Sequence, residues 1–227
     1  MNNNMTINTK KKNMPKWLIA VCSMMIAFSA ILPAAQAASP STLKYGITSL
    51  DVPDLQFRLK VLGYFNNSTV TTYYGSMTQD AVERFQADYG ITSDGVAGSK
   101  TWSLLKKVSV NQEELDLLAR IIYAEARGES YQGQVAVGAV VMNRVQSSEF
   151  PNTVREVILQ AGAFTAVDDG QFSLTPDSTA YQAATDAVRG VDPTGNALYY
   201  FNPNTATSSW IWSRTQTVKI GNHIFAV

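Results

Sequence analysis

Eight consecutive residues, Val135-Ala136-Val137-Gly138-Ala139-Val140-Val141-Met142, carry no polar side chain. With Ser130 upstream as a cap, they predict a helix over 134–145 that is apolar almost all round. A helix with no face for water belongs at the centre of a domain, so its neighbours in sequence must wrap it.

Those neighbours are legible. Asn111-Gln112-Glu113-Glu114 has the form of a capping box ahead of a helix through Ala126. Thr153-Val154-Arg155-Glu156 repeats the form and opens a short helix to Leu159. Thr175-Pro176 is read as the start of another, with Ala180, Ala183, Ala184, Ala187 and Val188 apolar and Gly190 as its stop. The period then changes. Residues 197–201 (Ala-Leu-Tyr-Tyr-Phe) are strand-like, and 218–225 suggest a hairpin turning at Gly221-Asn222. Residues 111–227 therefore predict a mostly helical α+β domain with a small β-sheet near its end.

A smaller region over 43–106 precedes it, joined near Lys106-Lys107-Val108-Ser109. Leu55, Leu59 and Leu62 share a helical face after Asp51 as a cap, and Gly63 ends the helix. Thr78 is read as the cap of a second helix carrying Ala81, Val82 and Phe85. Thr101 is read as the cap of a third, with Trp102, Leu104 and Leu105. Three helices in roughly 60 residues can fold alone. No internal repeat is evident. The order Leu55-Gln56, Leu62-Gly63-Tyr64, Gly75, Thr78, Ala81-Val82, Phe85-Gln86, Asp94-Gly95-Val96-Ala97-Gly98 and Thr101 resembles the helical peptidoglycan-binding module of bacterial wall hydrolases.

At the start of the chain, Lys10, Lys11, Lys12 and Lys16 lead into an apolar run from Trp17 to Leu32 and then Ala35-Gln36-Ala37. This pattern predicts a secretory signal peptide over 1–37; an uncleaved anchor is the alternative. Cleavage there removes Cys22, the single cysteine, and leaves one histidine, His223. It also removes four of 18 basic side chains against 18 acidic ones, leaving a net charge of about −4. Nothing in that balance suggests nucleic acid, so wall binding must rest on hydrogen bonds and aromatic stacking.

The same counts limit the chemistry. A zinc hydrolase needs several imidazole or thiolate ligands, and a cysteine enzyme needs its thiol. A serine triad would have to use His223 beside the hairpin turn, where an ordinary structural role is the simpler reading. Carboxylates remain. Glu125 stands at i+7 from Leu118, i+4 from Ile121 and i+3 from Ile122, on the apolar stripe of its helix. Partial desolvation there would favour the neutral acid that proton donation needs. From spacing alone, Glu125 serves equally well as an ion-pair partner of Arg127 on a solvated face.

Residues 119–129 (Ala-Arg-Ile-Ile-Tyr-Ala-Glu-Ala-Arg-Gly-Glu) are followed by Gly133-Gln134-Val135-Ala136-Val137 and Asn143-Arg144-Val145. With Gly162-Ala163-Phe164-Thr165, Tyr199-Tyr200-Phe201-Asn202-Pro203, Trp210-Ile211-Trp212-Ser213-Arg214 and Gly221-Asn222-His223, they resemble the catalytic domain of SleB-type spore cortex-lytic and related cell wall hydrolases. The resemblance implies a lysozyme-like, lytic-transglycosylase-like fold with Glu125 as the catalytic acid. It implies substrate contacts from Tyr199, Tyr200 and Asn202 first, then Phe164, Thr165 and Trp210, with Trp212 a weaker candidate.

By this resemblance the chain is an exported enzyme that cleaves the MurNAc–GlcNAc backbone of peptidoglycan, as a lytic transglycosylase on spore cortex during germination. A hydrolytic muramidase or glucosaminidase of the vegetative wall is the alternative, as is a non-catalytic wall-binding protein. Glu129, Asp168 and Asp169 stay open as second acids. No metal and no cofactor is expected. The expected partner is the glycan strand, with room for an accessory wall or membrane protein, and the chain is expected to be a monomer.

Overall fold

The computed structural model describes residues 41–227. The signal peptide expected over 1–37 lies outside them. The first module is built from α1 (Val52–Val61), α2 (Ser76–Asp88) and α3 (Ser99–Val108). Leu55, Leu59, Tyr74, Val82, Phe85, Trp102 and Leu105 are buried together between them. Burying each such side chain contributes about 1.5–3 kcal/mol before chain entropy is counted.

All three caps expected in this module differ from the sequence reading. Asp51 occupies the position before α1, but its carboxylate accepts from Ser41 and makes no cap bond. Thr78 and Thr101 each lie inside a helix that starts two residues earlier, after Gly75 and Gly98. Both hydroxyls turn inward instead. Gln56 Nε2 donates to Thr78 Oγ1 at 2.8 Å, and Gln86 Nε2 donates to Thr101 Oγ1 at 3.0 Å. Each glutamine also accepts from the preceding loop, at Thr71 N and at Asp94 N and Gly95 N. The module thus uses one device twice: a buried glutamine that ties a loop to the first turn of the next helix.

The second module consists of α4 (Gln112–Ala126), α5 (Tyr131–Gln146), α6 (Val154–Leu159), α7 (Thr165–Asp168), α8 (Ser178–Val188) and α9 (Ser209–Trp212), with β1 (Tyr199–Phe201), β2 (Gln216–Ile220) and β3 (His223–Ala226). Residues 133–142 of α5 are buried throughout, as an all-apolar helix requires. α4, α6 and α8 pack around it. A Cβ on Gly138 would stand 2.9 Å from both Ala187 Cβ and Ile122 Cδ1, so α5 meets α4 and α8 at a point with no room for a side chain.

The capping box at Asn111 is complete, with bonds of 2.8 and 2.9 Å in the two directions. Ser130 and Thr153 cap α5 and α6. The start of α8 is corrected: Asp177, not Thr175-Pro176, caps it by accepting from Ala180 N at 2.9 Å. The strands form an antiparallel sheet in the order β1-β3-β2, with Tyr200 opposite Phe225. β2 and β3 turn at Gly221-Asn222, where Gly221 has φ +57°.

The two modules share one compact unit. Val61 of α1 is buried in the core of the second module. Arg58 donates to Ser109 O at 3.2 Å, and Arg189, just after α8, donates to Val61 O at 2.7 Å.

Candidate active site

Glu125 is the second-last residue of α4, on the stripe that its spacing predicts, and it is half-buried. Arg127 is not its ion-pair partner. That guanidinium instead donates to Gln171 Oε1 at 2.7 Å and to Ala124 O at 3.1 Å. The Glu125 carboxylate accepts two other hydrogen bonds, from Ala166 N to Oε1 at 3.0 Å and from the Tyr200 hydroxyl to Oε2 at 3.1 Å. Three distant segments meet here: the end of α4, the first turn of α7, and β1.

Each donor is placed by its own element. Phe164, only 3% exposed, anchors the start of α7, whose Ala166 N–H reaches the Glu125 carboxylate. Tyr200 lies on β1 between the rings of Phe164, His223 and Phe225, at centroid distances of 6.5, 5.2 and 5.8 Å. Burial, then the adjacent Glu125 charge, hold its phenol well above the usual tyrosine range. Tyr200 therefore stays protonated and acts as a donor toward the carboxylate.

Glu129, whose direction after Gly128 was open, points under the hairpin. Its Oε1 accepts from Asn222 Nδ2 at 2.9 Å and its Oε2 from Asn222 N at 3.2 Å. Its side chain is 9% exposed, and His223 Nδ1 lies 3.8 Å from Oε1. That nitrogen is buried without a hydrogen-bond partner among the described residues. Asp168 and Asp169 are both exposed. Asp169 accepts from Gln171 N and Nε2, bonds that hold its carboxyl below the usual range.

The other expected substrate contacts divide by location. Tyr200 touches Glu125, and Phe164 lies beside Tyr200. Thr165 is exposed at the first position of α7. Tyr199 points to the opposite face of β1, where its ring meets Trp210 edge-on at 5.1 Å and Phe150 at 6.0 Å. Trp210 is 50% exposed on α9. Trp212 packs edge-on against Phe201 at 4.8 Å and donates to Ala206 O. Asn202 uses its side-chain oxygen to accept from Asn204 N at 2.9 Å, shaping the loop after β1.

Sequence reasoning missed the Ala166 N–H, because a backbone donor leaves no residue signature. It also missed Arg144, which is buried on α5. Its guanidinium sits 5.1 Å from the rings of Phe150 and Phe164 and 5.7 Å from Tyr199, and its Nε donates to Leu198 O at 2.7 Å. A cavity of about 860 Å³ lies elsewhere, at the seam of the two modules between Lys106, Val110, Met142 and Arg189. None of the residues around Glu125 lines it.

Comparison with known proteins agrees with both modules. A putative peptidoglycan-binding domain model matches residues 48–105, and a cell wall hydrolase model matches residues 128–226. The second match begins three residues after Glu125. The spore cortex-lytic enzyme of Bacillus cereus is 41% identical over 247 aligned positions, covering 92% of this chain and 95% of that protein. The crystal structure of the Bacillus cereus SleB catalytic domain is 60% identical, with a TM-score of 0.51, covering 52% of this chain and 93% of that one. The catalytic domain of the germination-specific lytic transglycosylase SleB from Bacillus anthracis is 59% identical, with a TM-score of 0.50, covering 52% and 97%. The chain belongs to the spore cortex-lytic enzyme family of cell wall hydrolases.

Proposed function

We propose that this protein degrades spore-cortex peptidoglycan during germination as a lytic transglycosylase, with Glu125 as its catalytic acid and base. The observation that carries the reading is the Glu125 carboxylate held from two sides by Ala166 N–H and Tyr200 hydroxyl. A backbone N–H can only donate, so Oε1 remains an acceptor in either protonation state. The acid proton of Glu125 therefore resides on Oε2, where the rotatable Tyr200 hydroxyl can turn to accept from it.

Cleavage then balances with one carboxyl group. Glu125 gives its proton to the glycosidic oxygen as the bond from muramoyl C1 to that oxygen breaks. The resulting carboxylate takes the proton of the muramoyl C6 hydroxyl as that oxygen closes on C1, giving a 1,6-anhydro ring and regenerating the acid. Such proton transfer accelerates by about 10²–10⁴-fold. A hydrolase would need a second carboxylate to activate or replace water. Glu129 is engaged by Asn222 and buried beneath the turn, which favours the one-acid route.

The first module serves as the wall tether, so that weak binding there raises the effective concentration of glycan at the second. The protein acts outside the membrane on wall or cortex, as a monomer, with any accessory wall or membrane protein docking to it from outside this site. Mass spectrometry of digested cortex tests the reading: 1,6-anhydromuramoyl ends are expected, and reducing ends in their place would assign hydrolysis. Glu125→Gln is expected to abolish cleavage while wall binding persists.

A further inference from the structure

Among the described residues, Arg214 is a cation without an acid. Its guanidinium carbon lies 4.3 Å from the ring centre of Trp210 and 4.9 Å from that of Tyr199, two rings that meet at 90°. No carboxylate among the described residues lies within ion-pair distance of it, and its Nε is buried without a hydrogen-bond partner. Cation–π contact is weaker than a well-made pair with an anion at a partly desolvated site. The two rings fix the plane of the fork and leave its terminal nitrogens, rather than the buried Nε, for something outside the chain.

The location connects this cation to the chemistry. Tyr200, which donates to Glu125, packs near Phe164; Phe164 and Tyr199 both face the Arg144 guanidinium; and Tyr199 carries Arg214 and Trp210. Rings and guanidinium groups thus form a continuous packed chain, running through the buried Phe164 and Arg144, from the carboxylate to a half-exposed tryptophan. A sugar with an apolar face can stack on that tryptophan. In peptidoglycan, only the muramic residue carries an acid: a lactyl carboxylate, free or extended by a stem peptide with carboxylates of its own.

We propose that Arg214, clamped between Tyr199 and Trp210, binds a carboxylate of the substrate while Trp210 stacks on its sugar, setting which strands are accepted. This rests on the peptidoglycan reading above. It makes Arg214 a specificity-determining residue, absent from the contacts that the sequence suggested.

The test uses the full mature chain carrying Glu125→Gln, with binding read by calorimetry and intrinsic tryptophan fluorescence. The probes are peptide-free GlcNAc–MurNAc oligosaccharides, the same oligosaccharides with lactyl carboxylates converted to methylamides, and strands that retain their stem peptides. Methylamidation is expected to weaken binding by about tenfold or more. Adding Arg214→Gln should weaken the acid probe by a similar factor and leave the methylamide unchanged. Arg214→Lys keeps the charge without the planar fork and should fall between. Arg214 dependence confined to peptide-bearing strands would assign the stem carboxylate as the ligand.

Equal weakening of the acid and methylamide probes by Arg214→Gln would overturn the proposal, leaving the arginine as packing. So would the absence of any methylamide effect in the chain that retains Arg214 together with no Arg214 dependence on peptide-bearing strands, and the first of these is a result that no folding defect can produce. Binding is read without turnover, so these outcomes are separate from a failure to find anhydro ends.

Discussion

The Tyr200 hydroxyl donates to Glu125 Oε2 at 3.1 Å across 75 residues of sequence, from a strand to the end of a helix. Hydrogen bonds to charged groups contribute about 1.5–3 kcal/mol, and this one also orients the Glu125 carboxylate. Tyr200→Phe keeps the ring among Phe164, His223 and Phe225 but removes the donor. Its kcat on cortex fragments is expected to fall about 10- to 100-fold, with little change in thermal midpoint. Unchanged kcat would remove Tyr200 from the mechanism.

Glu129 and Asn222 are joined by two bonds, and Gly221 beside them has no room for a side chain: a methyl there would overlap the Glu129 carboxylate. The φ of +57° at Gly221 adds its own strain to any replacement. Gly221→Ala is expected to destabilise by about 1–3 kcal/mol, measured by urea unfolding. Glu129→Gln keeps one acceptor toward Asn222 and should retain cleavage within about tenfold, with anhydro products intact. A loss of about 10³-fold or more would instead make Glu129 a second catalytic acid.

These two glutamates also show what patterning can reach. The direction of Glu125 was legible because it lies on an apolar stripe whose period fixes it, while its role was left open by spacing and came from the family resemblance. Glu129 was not, because Gly128 releases the helix and its partner lies 93 residues later. The same contrast holds in the fold. α5 follows from eight apolar residues in a row, and the hairpin follows from Gly221-Asn222. Thr78 and Thr101 misled because a threonine near a helix start suits a cap. Whether it caps or turns inward depends on Gln56 and Gln86, 22 and 15 residues away. Asp177 was passed over in favour of Thr175-Pro176, two signals that lie too close together for sequence to rank. Arg214 was visible only as part of a motif; that it has no acid partner among the described residues is a property of packing.

Alkali should destabilise the fold through its phenols. Burial, then hydrogen bonding to Asp88 and to Asp186, pushes Tyr64 and Tyr131 up to about 12. Tyr74 and Tyr200 are also raised, chiefly by burial. In the unfolded chain these phenols ionise near pH 10, so above that the unfolded state binds fewer protons and the unfolding free energy falls as pH rises. Their contribution is complete below about pH 10 and is lost progressively above it. Urea midpoints at pH 9, 10, 11 and 11.5 should decline, with a shallower slope in Tyr200→Phe. Tyr131 is well exposed, so solvent screening reduces its share. A flat profile to pH 11.5 would contradict the assignment.

Gly138 sets the spacing of the helices that carry the site. Alanine is the better helix former by about 1 kcal/mol, so a surface Gly138→Ala would stabilise. Here its methyl would stand 2.9 Å from Ala187 Cβ, backed by α8, and 2.9 Å from Ile122 Cδ1, one turn before Glu125 on α4. Overpacking a filled core costs about 1–3 kcal/mol, which outweighs the propensity gain. Gly138→Ala is therefore expected to lower the urea midpoint without changing the m-value. Ile122→Val removes the Cδ1 atom that the new methyl meets. Joined in one chain, the two substitutions should cost less than the sum of their separate effects, by about 0.5–1 kcal/mol in a double-mutant cycle. Strict additivity would place the strain at Ala187 alone, and a stabilised Gly138→Ala would show that α4 and α8 can separate to admit it.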